Sequence, residues 1–174
     1  MSYDLQYFKP QVIKNLFNQE DFNIVSNSFK DYKTFPIEEE FSRYSIDMVQ
    51  RPILSKLSKK ILPVARNIFN NQTIIPTYTL FVHYENNASL YKHKDTNACT
   101  YTIDMCVYQT DPWDLWIEDK PYTLYPNEAV AYCGNDQMHW RKEFPDPKNQ
   151  KVAMIFFHFA EPDHWFFKEE LYTI

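Results

Sequence analysis

The sequence predicts an α+β fold in which helices come first and a set of short strands follows. Apolar residues recur at helical spacing before residue 70, whereas β-branched and aromatic residues dominate from Ile74 onward. Proline residues interrupt this second region and separate its apolar segments. We therefore expect the strands to close into a sandwich or an open barrel, with the helices against a sheet.

The N-terminal region, about residues 1–72, predicts one short strand and two helices. The strand covers Gln11 to Phe17. The first helix covers Glu20 to Tyr32, with Asn18 as a possible N-cap. The second lies between Pro52 and Phe69, with a possible kink at Pro63. Its apolar stripe has helical spacing and consists of Leu54, Leu57, Ile61, Val64 and Ile68.

The remaining region, about residues 73–174, predicts a strand-rich core. Its segments are short, alternate in polarity or are continuously apolar, and are separated by turn residues. The predicted strands are Thr77 to Tyr84, Cys99 to Tyr108, Tyr122 to Tyr125, Ala129 to Cys133, and Lys151 to Phe159. No repeat or linker divides the chain, so we expect a single domain over residues 1–174.

Glycine is almost absent, because Gly134 is the only one in 174 residues. This excludes a glycine-rich phosphate loop and a Rossmann fingerprint. Asparagine tolerates positive φ better than most residues, so Asn70-Asn71, Asn86-Asn87 and Asn127 are expected to form turns.

Charge and composition exclude several classes of protein. A formal net charge of -5 and the lack of a Lys/Arg run argue against an extended nucleic-acid surface. The start of the sequence has no signal-peptide pattern, and no apolar stretch is long enough to suggest a membrane span. Three cysteines without a Cys-x-x-Cys pair fit a reducing compartment, so we expect a cytoplasmic protein.

The strongest chemical signal is a set of two histidines and one carboxylate. His93 and Asp95 lie where a loop meets the next strand, and His139 follows 46 residues after His93 in a polar turn. Two imidazoles and a carboxylate on one face of a metal form the ligand set of non-haem Fe(II) oxygenases. The opposite face of the metal stays open for a cosubstrate and dioxygen (O2).

Other readings of these and neighbouring residues stay open. By itself, His139 is more easily explained as a loop histidine, and Zn(II) would accept the same three ligands. His83, with Glu85, forms a second His-x-acid pair, but it lies inside a strand pattern and is expected to be a packed or surface histidine. His158 and His164 are expected to be structural.

Lys151 is a cation at the start of an apolar strand, where a charge is costly without a partner. The distal carboxylate of 2-oxoglutarate would provide that partner. Arg141 is a rival for this role, and we favour Lys151 because Arg141 lies only two residues after His139.

Residues from about Pro76 to Phe159 resemble the core of the Fe(II)/2-oxoglutarate-dependent oxygenases, especially the small prolyl-hydroxylase-like ones. The resemblance rests on an ordered set of motifs, which comprises a strand ending at Tyr84, His93-x-Asp95, Asp111 to Leu115, Tyr125 to Gly134, His139, and Lys151 leading the last strand. The sequence differs where Asn87 and Asn127 replace turn glycines and where Lys151 replaces the more common arginine.

The resemblance implies a double-stranded β-helix, a jelly-roll or cupin-like core, braced by the N-terminal helices. It also implies Fe(II) held by His93, Asp95 and His139, with 2-oxoglutarate and O2 as cosubstrates. Tyr84 and Tyr91 become candidates for hydrogen bonds to 2-oxoglutarate, although packing explains either equally well.

Strand alternation places Asp104 on the same face as Thr102 and Cys106. Asp104 could then contact the substrate or a ligand residue, or it could be an exposed strand carboxylate. Trp113, Trp116 and Trp140 are expected in the core or at the rim.

The resemblance implies hydroxylation of a C–H bond, with a protein or peptide side chain as the first candidate substrate. A free amino acid or other small metabolite is the second candidate, and nucleic-acid demethylation is the third. The alternative from another class is a non-catalytic, cupin-like metal-binding module.

Overall fold

Residues 8–169, which the computed structural model of the protein describes, contain three helices and eleven strands. Residues 1–7 and 170–174, the two ends of the predicted 1–174 domain, lie outside this range. The strands are β1 (Gln11–Ile13), β2 (Ile37–Glu38), β3 (Arg43–Asp47), β4 (Ile75–Glu85), β5 (Leu90–His93), β6 (Tyr101–Gln109), β7 (Leu115–Ile117), β8 (Lys120–Tyr122), β9 (Ala129–Tyr132), β10 (His139–Arg141) and β11 (Lys151–Ala160).

The strands form two antiparallel sheets. The larger has the order β1-β9-β6-β11-β4-β3-β2, and the smaller has the order β5-β10-β7-β8. From β4 to β11 the chain passes back and forth between the sheets, and β11 returns to pair with both β4 and β6. This is the winding of a double-stranded β-helix, so the predicted α+β fold class and its jelly-roll core are confirmed.

The two long helices cover the outer face of the larger sheet. They are α1 (Gln19–Asn27) and α2 (Ile53–Ile68), and a short α3 (Trp165–Glu169) follows the last strand. One apolar cluster joins α1 and α2 to this face, and a second cluster fills the space between the two sheets. None of the helices in the described range is long and apolar enough to cross a bilayer.

Strand β11 shows how alternation divides these two clusters. Ala153, Ile155 and Phe157 face the helices, whereas Val152 and Met154 face the smaller sheet. Residues that line the space between the sheets therefore alternate along β11 with residues that face the helices.

The predicted first helix is shorter than expected. Asn18 caps α1, because its side chain accepts a hydrogen bond from the backbone N–H of Asp21 at 2.9 Å. The helix ends at Asn27, where the Ser26 and Ser28 hydroxyls bond back to main-chain carbonyls and compete with helical bonding. Tyr32 lies in a separate 3-10 turn.

The second helix matches its predicted position, and Pro63 lies inside it without ending it. Several short strands were not predicted, because a strand of two to five residues has too few positions to show a clear alternation of apolar and polar residues. These are β2, β3, β5, β7 and β10. The predicted strand Tyr122 to Tyr125 was wrong in position, because β8 ends at Tyr122.

Asparagine performs the turn function that glycine performs elsewhere. Asn70, Asn86, Asn87 and Asn127 all have positive φ, as predicted, whereas Asn71 does not. Asn127 also has a packing role, because its side-chain amide exchanges hydrogen bonds with the backbone of Phe17.

Candidate metal and cosubstrate site

The two paired strands β5 and β10 bring the candidate metal ligands together. His93 is the last residue of β5, His139 is the first residue of β10, and the two are direct partners in the antiparallel register. Asp95 follows in the loop after β5. The pairing therefore closes the gap of 46 residues between the histidines.

The ligand atoms of the three side chains converge on one point. The Nε2 atoms of His93 and His139 lie 3.4 and 3.5 Å from Oδ1 of Asp95. One ligand atom from each residue lies within 4.8 Å of the others. This spacing suits three ligands that share one face of a metal ion.

Hydrogen bonding determines which ring nitrogen of each histidine faces the carboxylate. Nδ1 of His93 lies 2.8 Å from the carbonyl oxygen of Tyr91, and Nδ1 of His139 lies 3.0 Å from that of Gln137. A carbonyl only accepts, so both Nδ1 atoms carry hydrogen. Each neutral imidazole then presents the lone pair of Nε2, as a metal-binding histidine does.

The Nε2 lone pairs of the two histidines face the negative carboxylate of Asp95. These groups repel one another, so the arrangement requires a cation between them. Without a metal, a proton on Nε2 takes this place. Burial by itself would raise the pKa of Asp95, but hydrogen bonds from His139 and His93 hold it well below its usual range. Burial would likewise lower the pKa of His139, but the hydrogen bond and charge of Asp95 raise it. The residues therefore fit a divalent metal ion, which would compete with protons here.

Gly134 fixes the position of Asp95. The backbone N–H of Asp95 donates to the carbonyl of Gly134 at 2.9 Å. A Cβ at Gly134 would overlap Oδ2 of Asp95 and lie 2.7 Å from Oγ1 of Thr102. The one glycine of the chain has no positive φ, so it is needed here for space and not for conformation.

A pocket of about 210 Å³ opens next to these ligands, between the two sheets. Besides the three ligands, its lining comprises aromatic and apolar side chains together with several buried polar ones. The polar and ionisable members are Arg43, Tyr78, Tyr91, Asp104, Tyr132, Arg141 and His158.

Arg141 is the more deeply buried of the two arginines that line this pocket, and the other, Arg43, is paired with Glu38. Arg141 is 3% exposed, it donates to the main-chain carbonyl of Trp113, and its guanidinium lies 4.9 Å from the centre of the Trp113 ring. Among the described residues, no Asp or Glu carboxylate oxygen lies within 4.0 Å of an Arg141 nitrogen, which is the distance limit for an ion pair. A buried guanidinium without a paired anion is costly, so the site is suited to an anionic ligand.

Lys151 does not lie in this pocket, contrary to its expected place beside the cosubstrate. Its side chain is 41% exposed, and Nζ lies 3.7 Å from Oε1 of Glu85. Strand alternation explains this, because Val152 and Met154 take the inward positions of β11 and Lys151 takes an outward one. The structure places the rival, Arg141, next to Met154 instead.

The two candidate tyrosines differ in their surroundings. Tyr84 is completely buried, and its hydroxyl accepts a hydrogen bond from Arg43 at 2.9 Å. It does not line the pocket. Tyr91 does line it, is 56% exposed, and lies against Phe41 at the mouth.

Asp104 is not an exposed strand carboxylate. It is 4% exposed, lines the pocket, accepts the Tyr132 hydroxyl at 3.0 Å, and has a second oxygen without a hydrogen-bond partner. Burial raises its pKa to about 7, even though the charges of His139 and Arg141 oppose the shift. Burial therefore favours the protonated form of Asp104 in this pocket.

Sequence reasoning missed four polar residues of this pocket, one of which, Tyr132, was noted only as part of the Tyr125 to Gly134 motif. Arg43 was not identified because β3, the short strand that contains it, shows no recognisable alternation of apolar and polar residues. Tyr78 was only a strand residue in the sequence, and His158 was expected to be structural. Strand alternation could have indicated that His158 faces the space between the sheets, since it lies four residues from Met154 on the same face of β11.

The remaining candidates lie outside the pocket. His83 is buried on the helix side of the larger sheet, stacked on Tyr32, as expected of a packed histidine. Trp113 is in the core between the sheets. Trp116 and Trp140 stack on each other at 5.9 Å, next to Lys142 and Lys92 respectively.

No protein-family model matches the sequence, and no curated protein matches it. Solved structures do match the fold. A 2OG-Fe(II) oxygenase-family oxidoreductase from Burkholderia pseudomallei has a TM-score of 0.70 at 8% identity, with 90% of this chain and 86% of that chain covered. The viral collagen prolyl hydroxylase of Paramecium Bursaria Chlorella virus-1, in complex with 2OG, has a TM-score of 0.66 at 8% identity, with 90% and 98% covered.

HygX from Streptomyces hygroscopicus, with nickel and 2-oxoglutarate bound, has a TM-score of 0.68 at 9% identity, with 88% of this chain and 83% of that chain covered. These structural matches cover 88–90% of this chain. The sequence identity is only 8–9%, so the similarity lies in the fold. The resemblance predicted from the sequence is thus confirmed in the architecture, and the chain has the double-stranded β-helix fold of the 2OG-Fe(II) oxygenases.

Proposed function

We propose that the protein is an Fe(II)- and 2-oxoglutarate-dependent dioxygenase that hydroxylates a C–H bond. The observation that carries this proposal is the combination of a three-ligand metal site with the unpaired, buried cation Arg141 in one pocket. A simple metal-binding module has no need for that cation. Iron with 2-oxoglutarate supplies the oxidation of the substrate by O2, with release of succinate and carbon dioxide.

In this proposal His93, Asp95 and His139 hold the iron. The carbonyls of Tyr91 and Gln137 orient the two imidazoles, which keeps Nε2 directed to the metal. Gly134 keeps the Asp95 carboxylate in reach. These residues contribute a preformed geometry, so metal binding requires little rearrangement of the ligands.

Arg141 binds the distal carboxylate of 2-oxoglutarate, in place of the Lys151 favoured by the sequence. Its planar guanidinium can hold a carboxylate with two parallel hydrogen bonds. Asp104 lies in the same pocket and, when protonated, can donate a hydrogen bond to the bound anion. Apolar neighbours such as Leu80 and Phe156 restrict water around these groups.

The substrate we favour is a protein or peptide side chain, because the fold matches a collagen prolyl hydroxylase over 98% of its length. Tyr91 and Phe41 would present an aromatic surface to it at the pocket mouth. A small metabolite is the second candidate. It is supported by the volume of about 210 Å³ and by the likeness to HygX, which is known with hygromycin B bound.

We also infer that the protein works in a reducing compartment such as the cytoplasm. Cys99, Cys106 and Cys133 are all free and buried. Burial raises the pKa of each thiol to about 12, which keeps it in the unreactive protonated form.

The test is anaerobic titration of the purified protein with Fe(II), with and without 2-oxoglutarate, followed by visible absorption. A weak charge-transfer band that needs both additions is expected of a keto acid chelated to iron. Arg141→Met should weaken 2-oxoglutarate binding by about 100-fold or more, since it removes a buried charge partner. Lys151→Met is the matched control and should leave the band unchanged.

Two results would reject parts of the proposal. If the charge-transfer band were lost in Lys151→Met but kept in Arg141→Met, the distal carboxylate of 2-oxoglutarate would be assigned to Lys151 and not to Arg141. A folded protein that binds Zn(II) but never forms the band would favour the non-catalytic metal module.

A further inference from the structure

A second pocket lies on the opposite face of the larger sheet from the metal site. Its volume is about 580 Å³, and it is bounded by the end of α1 and by strands β4, β6 and β11. Phe81 of β4 and Ala153 of β11 face it, whereas their neighbours Val82 and Met154 face the space between the sheets. The two pockets are therefore separated by one layer of strands. The volume falls in the range of small-molecule sites.

The floor of this pocket is apolar. Phe29, Phe81, Val107 and Ala153 are all buried and contribute to it. Tyr108 stands beside them and is 48% exposed. A hydrocarbon body that covered this floor would remove apolar surface from water, which is favourable.

The charged side chains that line the pocket are cationic. They are Lys30 from the end of α1 and Lys151 from the start of β11, and no Asp or Glu of the described range lines it. This local positive charge contrasts with the net charge of -5 of the whole chain. It favours a ligand with an anionic group.

The carboxylate of Glu85 lies close to this rim. Oε1 of Glu85 lies 3.7 Å from Nζ of Lys151, accepts the Tyr32 hydroxyl at 2.5 Å, and lies 3.5 Å from Nε2 of His83. One carboxylate is thus shared among several partners. Lys30 forms no ion pair with any described residue, so the rim retains positive charge.

His83 supplies a second polar feature. It lines the pocket, it is 4% exposed, and its Nε2 has no polar contact among the described residues shorter than the 3.5 Å to Oε1 of Glu85. The Tyr32 ring stacks over this imidazole with 3.6 Å between the ring centres.

We propose that this pocket binds an organic carboxylate with an apolar body, such as a medium-chain fatty acid. The carboxylate lies between Lys30 and Lys151, and the hydrocarbon chain covers Phe29, Phe81, Val107 and Ala153. This site is separate from the one that we assign to 2-oxoglutarate, and its existence does not depend on the proposed oxygenase activity.

The experiment is isothermal titration calorimetry of the full chain with decanoate below its micelle concentration. Decanol, which has the same chain and a neutral head group, is titrated in parallel. We expect saturable binding of one decanoate, with decanol weaker by about tenfold. The double variant Lys30→Glu/Lys151→Glu should lose decanoate binding. The control Lys59→Glu/Lys148→Glu makes the same change of charge away from the pocket and should bind normally.

A third variant, Ala153→Leu, tests the floor without a change of charge, and it should also weaken decanoate binding. Circular dichroism of each variant confirms that it is folded. The proposal is overturned if the wild-type protein shows no saturable binding. It is also overturned if decanol binds as tightly as decanoate, or if the two double variants bind decanoate alike. Formation of the Fe(II) and 2-oxoglutarate band is a separate measurement, so failure of either proposal is recognised independently.

Discussion

At the scale of single residues, the candidate metal site depends on one position where no side chain fits. Gly134 packs against the Asp95 carboxylate, and an added Cβ would also lie 3.0 Å from the main-chain oxygen of Cys99. Backbone cannot yield as a flexible side chain can. Asp95 would therefore have to move, and with it one of the three ligands.

We predict that Gly134→Ala lowers the affinity for Mn(II), as a redox-stable substitute for Fe(II), by about 10- to 100-fold. Overpacking should also lower the free energy of unfolding by about 1–3 kcal/mol. Metal titration and urea unfolding measure the two effects. The control is Lys94→Ala, an exposed change between the two ligands of the first motif. Equal affinities in the two variants would show that the space at Gly134 is not needed.

The buried carboxyl of Asp104 makes stability depend on pH. Its folded pKa is raised to about 7 by burial, whereas its ordinary value is 3.8. The folded protein therefore keeps this proton at pH values where the unfolded chain has lost it. The stabilising contribution is complete below the unfolded pKa and is lost as the pH rises through the folded pKa.

We predict that Asp104→Asn removes this loss. Relative to wild type, the free energy of unfolding of the variant should increase by roughly 2–4 kcal/mol between about pH 4 and about pH 8. Urea unfolding across that range, with exposed Asp119→Asn as control, measures the difference. A difference that stays constant with pH would mean that the folded pKa of Asp104 is ordinary.

At the scale of elements, helix α1 depends on its first turn. Asn18 satisfies the N–H of Asp21 that has no partner inside the helix, and Glu20 and Asp21 place negative charge near the positive end of the helix dipole. The helix is short, so one cap contributes a large share of its local stability. Its last residues lead into Phe29 and Lys30, which line the second pocket.

We predict that Asn18→Ala costs about 1 kcal/mol of the free energy of unfolding. Asn23→Ala is the matched control, because it replaces an exposed asparagine inside the same helix with the best helix former and should be neutral or stabilising. Chemical denaturation gives both values. If the two variants were equally stable, the hydrogen bond at Asn18 would not contribute.

The pairing of β5 with β10 brings the two candidate histidine ligands together. The partnership of His93 and His139 in this ladder sets the distance between their rings, whose centres are 4.3 Å apart. On the other side of the same strands, Lys92 lies over Trp140, and Trp140 stacks on Trp116. These surface contacts join β5, β10 and β7, and they hold the register that the ligands require.

At the scale of the whole molecule, metal binding should be linked to folding. The three ligands come from two strands and a loop that meet only in the folded state. A metal that binds this state and not the unfolded chain stabilises the protein by mass action.

We predict that Mn(II) at about 100 times its dissociation constant adds about 2.7 kcal/mol, and raises the melting temperature by roughly 5–11 °C for a chain of this size. Differential scanning fluorimetry measures the shift, and EDTA should reverse it. His139→Ala should abolish it. A shift that persists in His139→Ala would indicate that the metal acts elsewhere on the protein.

Much of the fold could be predicted from the sequence, because long periodic segments report directly which side is buried. Helix α2 and strands β4, β6 and β11 were predicted nearly in full for this reason. The short strands β2, β3, β5, β7 and β10 were not predicted, since they form only where a partner strand supplies their hydrogen bonds. The predicted extent of α1 was too long, because hydrogen bonds from serine hydroxyls at its end compete with the hydrogen bonds of the helix.

The candidate metal ligands were identified from the types and order of three residues, and the structure brings these three together. Their role as ligands stays a prediction. That Arg141 and not Lys151 lines the pocket beside the candidate ligands could be seen only in the structure. A one-residue change of position along a strand moves a side chain to the other face of the sheet, and the sequence near Lys151 did not show which face was inside.

The sequence by itself determined the order of helices and strands, the use of asparagine in turns, and the presence of a His-x-Asp and a later histidine. These properties are local, because they depend on backbone preferences and on the spacing of neighbouring side chains. The tertiary structure alone decided that Arg141 is buried without a carboxylate partner, that Gly134 makes room for Asp95, and that Lys151 lines a different pocket. Those facts depend on which strands pair and which faces meet, and distant parts of the chain establish them only when it folds.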